Sequence, residues 1–253
     1  MKNVLIYTFA SDRYRNYIPL WEAFIDAAYP EVGRWVGSVD CNNTHKKYYP
    51  ACIRYTLSPP EELVDKYKYF YITDIDVMIL RESPDFISVH KNNLLGGVYS
   101  NISRDATAVN KCGRLTGLHF FSREWFKVTE SARSFYQREL DIGVTGNKLW
   151  DDEVILYKIA AMSNLPIAPI DDPFKFHHGI HLGNQRNIVE FHEQAKRRYM
   201  LSHISLEWAK EWDRVSKLPS YKKAKEFVRV KDKIAYEEVT TVEKYVAMKL
   251  LGR

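Results

Sequence analysis

Residues 67–80 read Tyr-Lys-Tyr-Phe-Tyr-Ile-Thr-Asp-Ile-Asp-Val-Met-Ile-Leu, aromatic and β-branched side chains almost without interruption. A run like this is the pattern of a central strand covered on both faces. Two carboxylates break it, Asp74 and Asp76. Buried carboxylates are costly unless paired, hydrogen-bonded or bound to metal, so the pair belongs at the strand's exposed carboxyl end, where open α/β sheets bind ligands. Strand side chains two apart share a face, so both acids can reach one divalent cation. A strand end followed by an acidic turn would explain an isolated Asp-x-Asp; the apolar strand before this one, in the middle of the chain's strand pattern, favours the metal.

The surrounding sequence alternates strand and helix. Residues 4–9 read as a buried parallel strand and 10–15 as the loop leaving its carboxyl end, followed by a helix over 17–28 that Pro30 stops. Residues 34–39 and 52–57 read as further strands, and Pro59-Pro60-Glu61-Glu62 opens a short helix. Strands are expected over 94–99 and 114–122, an amphipathic helix over 124–140, and a buried helix over 149–162 with its acids at the N-terminus. The order predicts an α/β fold, a mostly parallel central sheet flanked by helices. Residues 171–186 form a loop containing His177, His178 and His181, and from Ile188 onward the pattern is helical and basic, broken at Pro219. This gives a catalytic domain over 1–186 and a basic helical extension over 187–253 packed on the same domain.

With 253 residues the chain can bury a substantial core, and its net charge of +5 suits an anionic small ligand while being too small and too spread for a nucleic-acid surface. A solvated face is the default reading of the basic tail, and peripheral contact with an anionic membrane the lesser one. Cys41, Cys52 and Cys112 lack metal-ligand spacing and suit a reducing compartment. The apolar run at the N-terminus is too short for a signal segment or a membrane span, so the expectation is a soluble, cytoplasmic protein with no transmembrane segment.

Three ordered motifs resemble the GT-A glycosyltransferases, most closely glycosyltransferase family 6, the group of the blood-group A and B transferases and α-1,3-galactosyltransferase. Phe9-Ala10-Ser11-Asp12-Arg13-Tyr14 resembles that family's Phe-Ala-Ile-Lys-Lys-Tyr, Asp74-Ile75-Asp76-Val77 its Asp-Val-Asp-Met, and residues 150–158, beginning Trp150-Asp151-Asp152-Glu153, its Trp-His-Asp-Glu-Ser-His-Leu-Asn-Lys. The resemblance implies a UDP-sugar donor, a carbohydrate acceptor and Mn²⁺, or Mg²⁺, as cofactor. It places Phe9, Ala10, Ser11 and Tyr14 around the uracil, with Tyr14 stacking on it and Arg54 near the nucleotide. Asp76 would ligate the metal, and Asp74 would assist it or hold the ribose. Trp150 would face the acceptor, Asp152 would hold donor-sugar hydroxyls, and Glu153 would sit on the reacting face of the anomeric carbon. Gly117 and Leu118 fall in the strand that in the family lies under the donor sugar and sorts galactose from N-acetylgalactosamine. His178, His181 and Arg186 fall where the family covers the diphosphate, and the histidines could instead add a metal ligand, as in many GT-A enzymes. The family's His-Pro after the metal strand is missing here, and Ser122-Arg123 replaces a Gly-Gly pair.

The chemistry accounts for these residue types. Sugar transfer needs a departing diphosphate, whose charge a hard cation held by carboxylates can stabilise. An oxocarbenium-like anomeric carbon needs a carboxylate beside it, the role given to Glu153 in a retaining enzyme that favours galactose. In an inverting enzyme using another nucleotide sugar, the acids 151–153 would supply the base instead. A nucleotidyltransferase would carry a Gly-rich first loop, and residues 9–15 contain no glycine. A catalytically inactive carbohydrate-binding protein on the same scaffold is the remaining alternative.

Overall fold

Seven strands order the described part of the chain: β1 (Val4–Ala10), β2 (Gly33–Ser38), β3 (Tyr69–Ile72), β4 (Val77–Ile79), β5 (Val98–Arg104), β6 (Arg114–Ser122) and β7 (Gly179–His181). The computed structural model describes residues 3–39, 49–91, 98–104, 114–142, 152–165, 178–183 and 193–252. The chain folds as two units, one of Met1–Asp12, Val32–Thr73 and Ile87–Phe176, the other of Arg13–Glu31, Asp74–Phe86 and His177–Arg253.

The first unit holds a five-stranded sheet in the order β2-β1-β3-β6-β5. β1 pairs in parallel with β2 and β3, while β6 runs antiparallel to both β3 and β5. Four of these strands therefore point one way and β6 alone is reversed, so the expected α/β fold with a mostly parallel sheet stands. Helices α2 (Tyr49–Thr56), α5 (Glu124–Val128) and α7 (Asp152–Met162) pack on the sheet; the short helices α3 (Glu61–Lys66) and α4 (Phe86–Lys91) fall between α2 and α5 in sequence. Its core is aromatic: Phe121 stacks on Trp125 with centroids 4.4 Å apart, and Phe70 meets Phe126 edge-on at 4.8 Å.

Three local expectations are corrected. Residues 52–56 are not a strand but the end of α2: Cys52, Ile53, Tyr55 and Thr56 are all buried, which is one helical face, and the amide of Leu57, just beyond it, bonds the Ile53 carbonyl at 2.9 Å. Their β-branched and aromatic character concealed that period. The helix expected over 124–140 divides into α5 and α6 (Glu130–Asp141) at Thr129, whose hydroxyl donates to the Trp125 carbonyl at 2.5 Å. Across the break lies Arg133, buried, donating to Thr129 Oγ1, the Thr56 carbonyl, Ser58 Oγ and the Phe126 carbonyl. The expected single strand over 67–80 is the third correction. β3 ends at Ile72, the Thr73 amide still bonds the Tyr7 carbonyl at 3.1 Å, and then the Val77 amide turns back to the Asp74 carbonyl at 3.2 Å. Aspartates favour such turns because their side chains compete with ladder bonding. The fifth strand lies at Val98–Arg104, later than the expected 94–99, of which 94–97 fall outside the described residues.

In the second unit, α1 (Ile18–Ala28) packs beside α10 (Pro219–Lys231), where Phe24 meets Tyr221 at 5.6 Å; Phe24 also meets Trp212 of the preceding helix at 4.6 Å. Helices α8 (Glu193–His203), α9 (Leu206–Ser216) and α11 (Lys233–Leu250) complete the bundle. Pro219 breaks the helical run as expected and opens α10 at its first turn. None of the described helices is long and apolar enough to cross a membrane.

Candidate functional site

The site begins with a short ribbon in the second unit. β4 and β7 pair antiparallel with Val77 opposite His181, and the Leu182 amide closes the end on the Asp76 carbonyl at 2.8 Å. That pairing brings the imidazole to the turn between Asp74 and Val77. His181 Nε2 lies 3.2 Å from Asp76 Oδ1, and one donor atom from each of Asp74, Asp76 and His181 falls within 4.8 Å of the others. Asp76 is 4% exposed, Asp74 and His181 are half-buried. Octahedral coordination at about 2.1 Å spaces ligands by about 3 Å when adjacent and about 4 Å when opposite. The 3.2 Å between Asp76 and His181 matches adjacent ligands of one ion, and Asp74 brings a third donor to the same locus. Two carboxylates with one imidazole suit a divalent cation.

The carboxylates come together through the turn rather than through strand alternation, which corrects the reason for grouping them but not the grouping. Of the two jobs open to His181, the geometry brings it to the carboxylates. His178, expected at the diphosphate, is 3% exposed, stacks on Phe86 at 4.9 Å, and pairs through Nδ1 with Glu82 at 2.5 Å. Buried Glu82 also accepts from Trp208 Nε1 of α9 at 2.8 Å, and the Leu80 amide bonds the His178 carbonyl at 3.0 Å. Glu82 and Trp208 thus fix the far end of the ribbon that carries His181. Sequence reading missed both, although an acid just after so apolar a run was a signal.

Gly179 sits where the strands approach most closely. A Cβ there would stand 2.2 Å from the Met78 carbonyl oxygen, a backbone atom that cannot swing aside. Gly179→Ala should therefore force β4 and β7 apart, moving His181 off the carboxylates and weakening Mn²⁺ binding by more than about tenfold while the first unit keeps its fold. Calorimetric titration with Mn²⁺ measures this; an unchanged affinity would contradict the geometry.

At the carboxyl end of β1, Ala10 and Ser11 are buried, and Phe9 packs edge-on against Trp35 at 5.3 Å, filling the space above Gly37. Phe9 thus has a packing role within the sheet. Tyr14 lies in a 3-10 helix over Asp12–Tyr17, its ring 5.8 Å from that of Tyr17 and the Arg13 guanidinium 4.9 Å from its centroid. Burial first, then the bond and charge of Glu238, hold the Tyr17 phenol well above its ordinary pKa, and the Asp76 charge adds to this.

In the first unit Arg54 of α2 makes a charged hydrogen bond to Asp152, the first residue of α7, and lies over the Tyr55 ring at 4.8 Å. The two residues were expected on nucleotide and sugar separately; they hold each other. Glu153 follows in α7, its side chain outside the described set, and Trp150 and Arg186 lie outside the described residues. Gly117 and Leu118 belong to β6 where its register with β5 shifts, between the pairs Ile102–Thr116 and Ser100–His119.

No family model matches the chain, and no curated protein matches it. Among solved structures it is similar to the glycosyltransferase GlyE of Streptococcus pneumoniae TIGR4, at 9% identity and a TM-score of 0.48, over 91% of this chain and 64% of that one. It is also similar to an active-site mutant of LgtC, at 14% identity and a TM-score of 0.33, over 61% of this chain and 69% of the other. The chain spans less than two thirds of the GlyE chain's length.

Proposed function

We propose that this chain is a metal-dependent GT-A glycosyltransferase that moves a hexose from a UDP-sugar to a carbohydrate hydroxyl. The observation that carries the reading is the convergence of Asp74, Asp76 and His181 on one cation-sized locus at a tight turn. A divalent ion held there, Mn²⁺ or Mg²⁺, would supply Lewis-acid stabilisation to a departing diphosphate.

The chain's own residues supply the rest. Tyr14 offers a ring, already steadied by Tyr17, for a base to stack on. Asp152, fixed by Arg54, offers a carboxylate of set orientation to sugar hydroxyls, a bond type that strengthens when the acceptor oxygen is charged. Glu153, next on α7, is the carboxylate assigned to the reacting carbon, and Arg186 the cation assigned to the diphosphate. Galactose as the sugar, with Leu118 excluding an N-acetyl group, and transfer with retention rest on the resemblance of residues 116–121 and 150–158.

The test is a panel of nucleotide sugars with and without Mn²⁺, read as release of the free nucleotide and as binding of UDP. Metal-dependent binding and release from a UDP-hexose are expected. Equal UDP affinity in Mn²⁺ and in chelator would overturn the metal-bridged reading, and glycan binding with no nucleotide release would favour the inactive carbohydrate-binding alternative.

A further inference from the structure

Within the second unit, three residues of the Arg13–Tyr17 stretch meet the last helix. Tyr17, fully buried, donates its phenol to Glu238 Oε2 at 2.5 Å, and Glu238 is itself 5% exposed. Asp232 divides its two oxygens between two tasks. Oδ1 accepts from the Ala235 amide at 3.0 Å and caps α11, whereas Oδ2 stands 3.5 Å from Asn16 Nδ2 and 3.8 Å from Arg13 Nη1. Tyr14 lies among these anchors, with the Tyr17 ring and the Arg13 guanidinium as its neighbours.

A helix needs no buried carboxylate to pack on a neighbouring turn, and an apolar pair would do so at less cost. The polar anchors also select residues unequally. They fall on Arg13 and Tyr17, the two that touch the Tyr14 ring, and on Asn16 between them. We propose that Asp232 and Glu238 are positioning residues for nucleotide binding, α11 setting the plane of the Tyr14 ring through Arg13 and Tyr17 before any base arrives. This rests on the reading of Tyr14 as the platform for the base. Ordering a loop ahead of binding raises affinity, because the conformational cost is met during folding rather than on association. Neither residue touches the reacting atoms, so the effect belongs in affinity for the nucleotide and not in the rate of transfer.

Two variants separate positioning from stability. Asp232→Ser keeps an N-cap oxygen for α11 but is too short to hold Arg13 and Asn16. Tyr17→Phe keeps the ring against Tyr14 and drops the bond to Glu238. In the full chain with saturating Mn²⁺, each is expected to raise the Kd for UDP about tenfold, and to raise the KM for the donor with kcat unchanged. Mn²⁺ affinity measured without nucleotide, and the Tm of Asp232→Ser, should stay at their wild-type values. Glu238→Gln, whose amide oxygen still accepts from Tyr17, should retain the wild-type Kd. Wild-type UDP affinity in both Asp232→Ser and Tyr17→Phe, or a fall in Tm and kcat with KM untouched, overturns the inference and leaves the proposed function standing. A wild-type protein that binds no UDP in Mn²⁺ overturns both.

Discussion

Replacing Asp76 by Ala is expected to abolish Mn²⁺-dependent UDP binding and to lower sugar-nucleotide turnover by about 10³-fold, about 4 kcal/mol of transition-state stabilisation. Asp76 is the most buried of the three donors, and its Oδ1 faces His181 Nε2. Without it Asp74 and His181 remain, two ligands where three had fixed one locus, and the ion would lose both affinity and aim. Asp76 also pairs with His181, so its loss removes a buried contact as well, and a lower melting temperature of the apo variant reads that cost apart from the metal. Metal titration, turnover and thermal unfolding of the same preparation read the three effects separately. Full activity in Asp76→Ala would end the metal assignment.

The second large effect is expected at Asp152, through different kinetics. Asp152→Asn keeps the shape but gives up the charge that its bond with Arg54 depends on. Only the amide oxygen can accept from the guanidinium, in a neutral bond weaker than the charged one, and the fixed orientation loosens. A group that aligns a sugar for attack acts on the transition state, and losing it costs about 10²-fold, because small misplacements are enough. We therefore expect kcat to fall by that factor with Mn²⁺ and UDP affinities unchanged. Arg54→Met should do the same by releasing Asp152, the common phenotype marking the pair as one unit. If either variant loses nucleotide affinity and keeps kcat, the pair belongs to the nucleotide and not to the sugar.

Strand signals that stand alone in the sequence survived in the fold. β1, β2 and β6 lie where dense apolar or aromatic runs put them, because such a run has few ways to be buried other than in a sheet. Where the signal was composite it misled. Residues 52–57 have strand composition and helix spacing, and the spacing decided, since burial acts on positions rather than on average propensity. Asp74 and Asp76 were legible because charge in an apolar run is expensive. His181 was legible only as one of several loop histidines: a strand of three residues carries it to the carboxylates, and no local pattern announces a strand that short. Glu82 and Trp208, which hold the ribbon, are remote in sequence and ordinary in type, so only coordinates could join them.

The ties between Tyr17 and Glu238, and between Asn16 and Asp232, join residues 221 and 216 positions apart. A polypeptide leaving the ribosome makes the tyrosine 221 residues before the glutamate. Biosynthesis thus completes the segments of the sheet unit before the helix that bonds Tyr17 exists, and long-separation closures of this kind are slow to form. A newly made molecule would in consequence gain its β-sheet first and the tie between Tyr17 and Glu238 last.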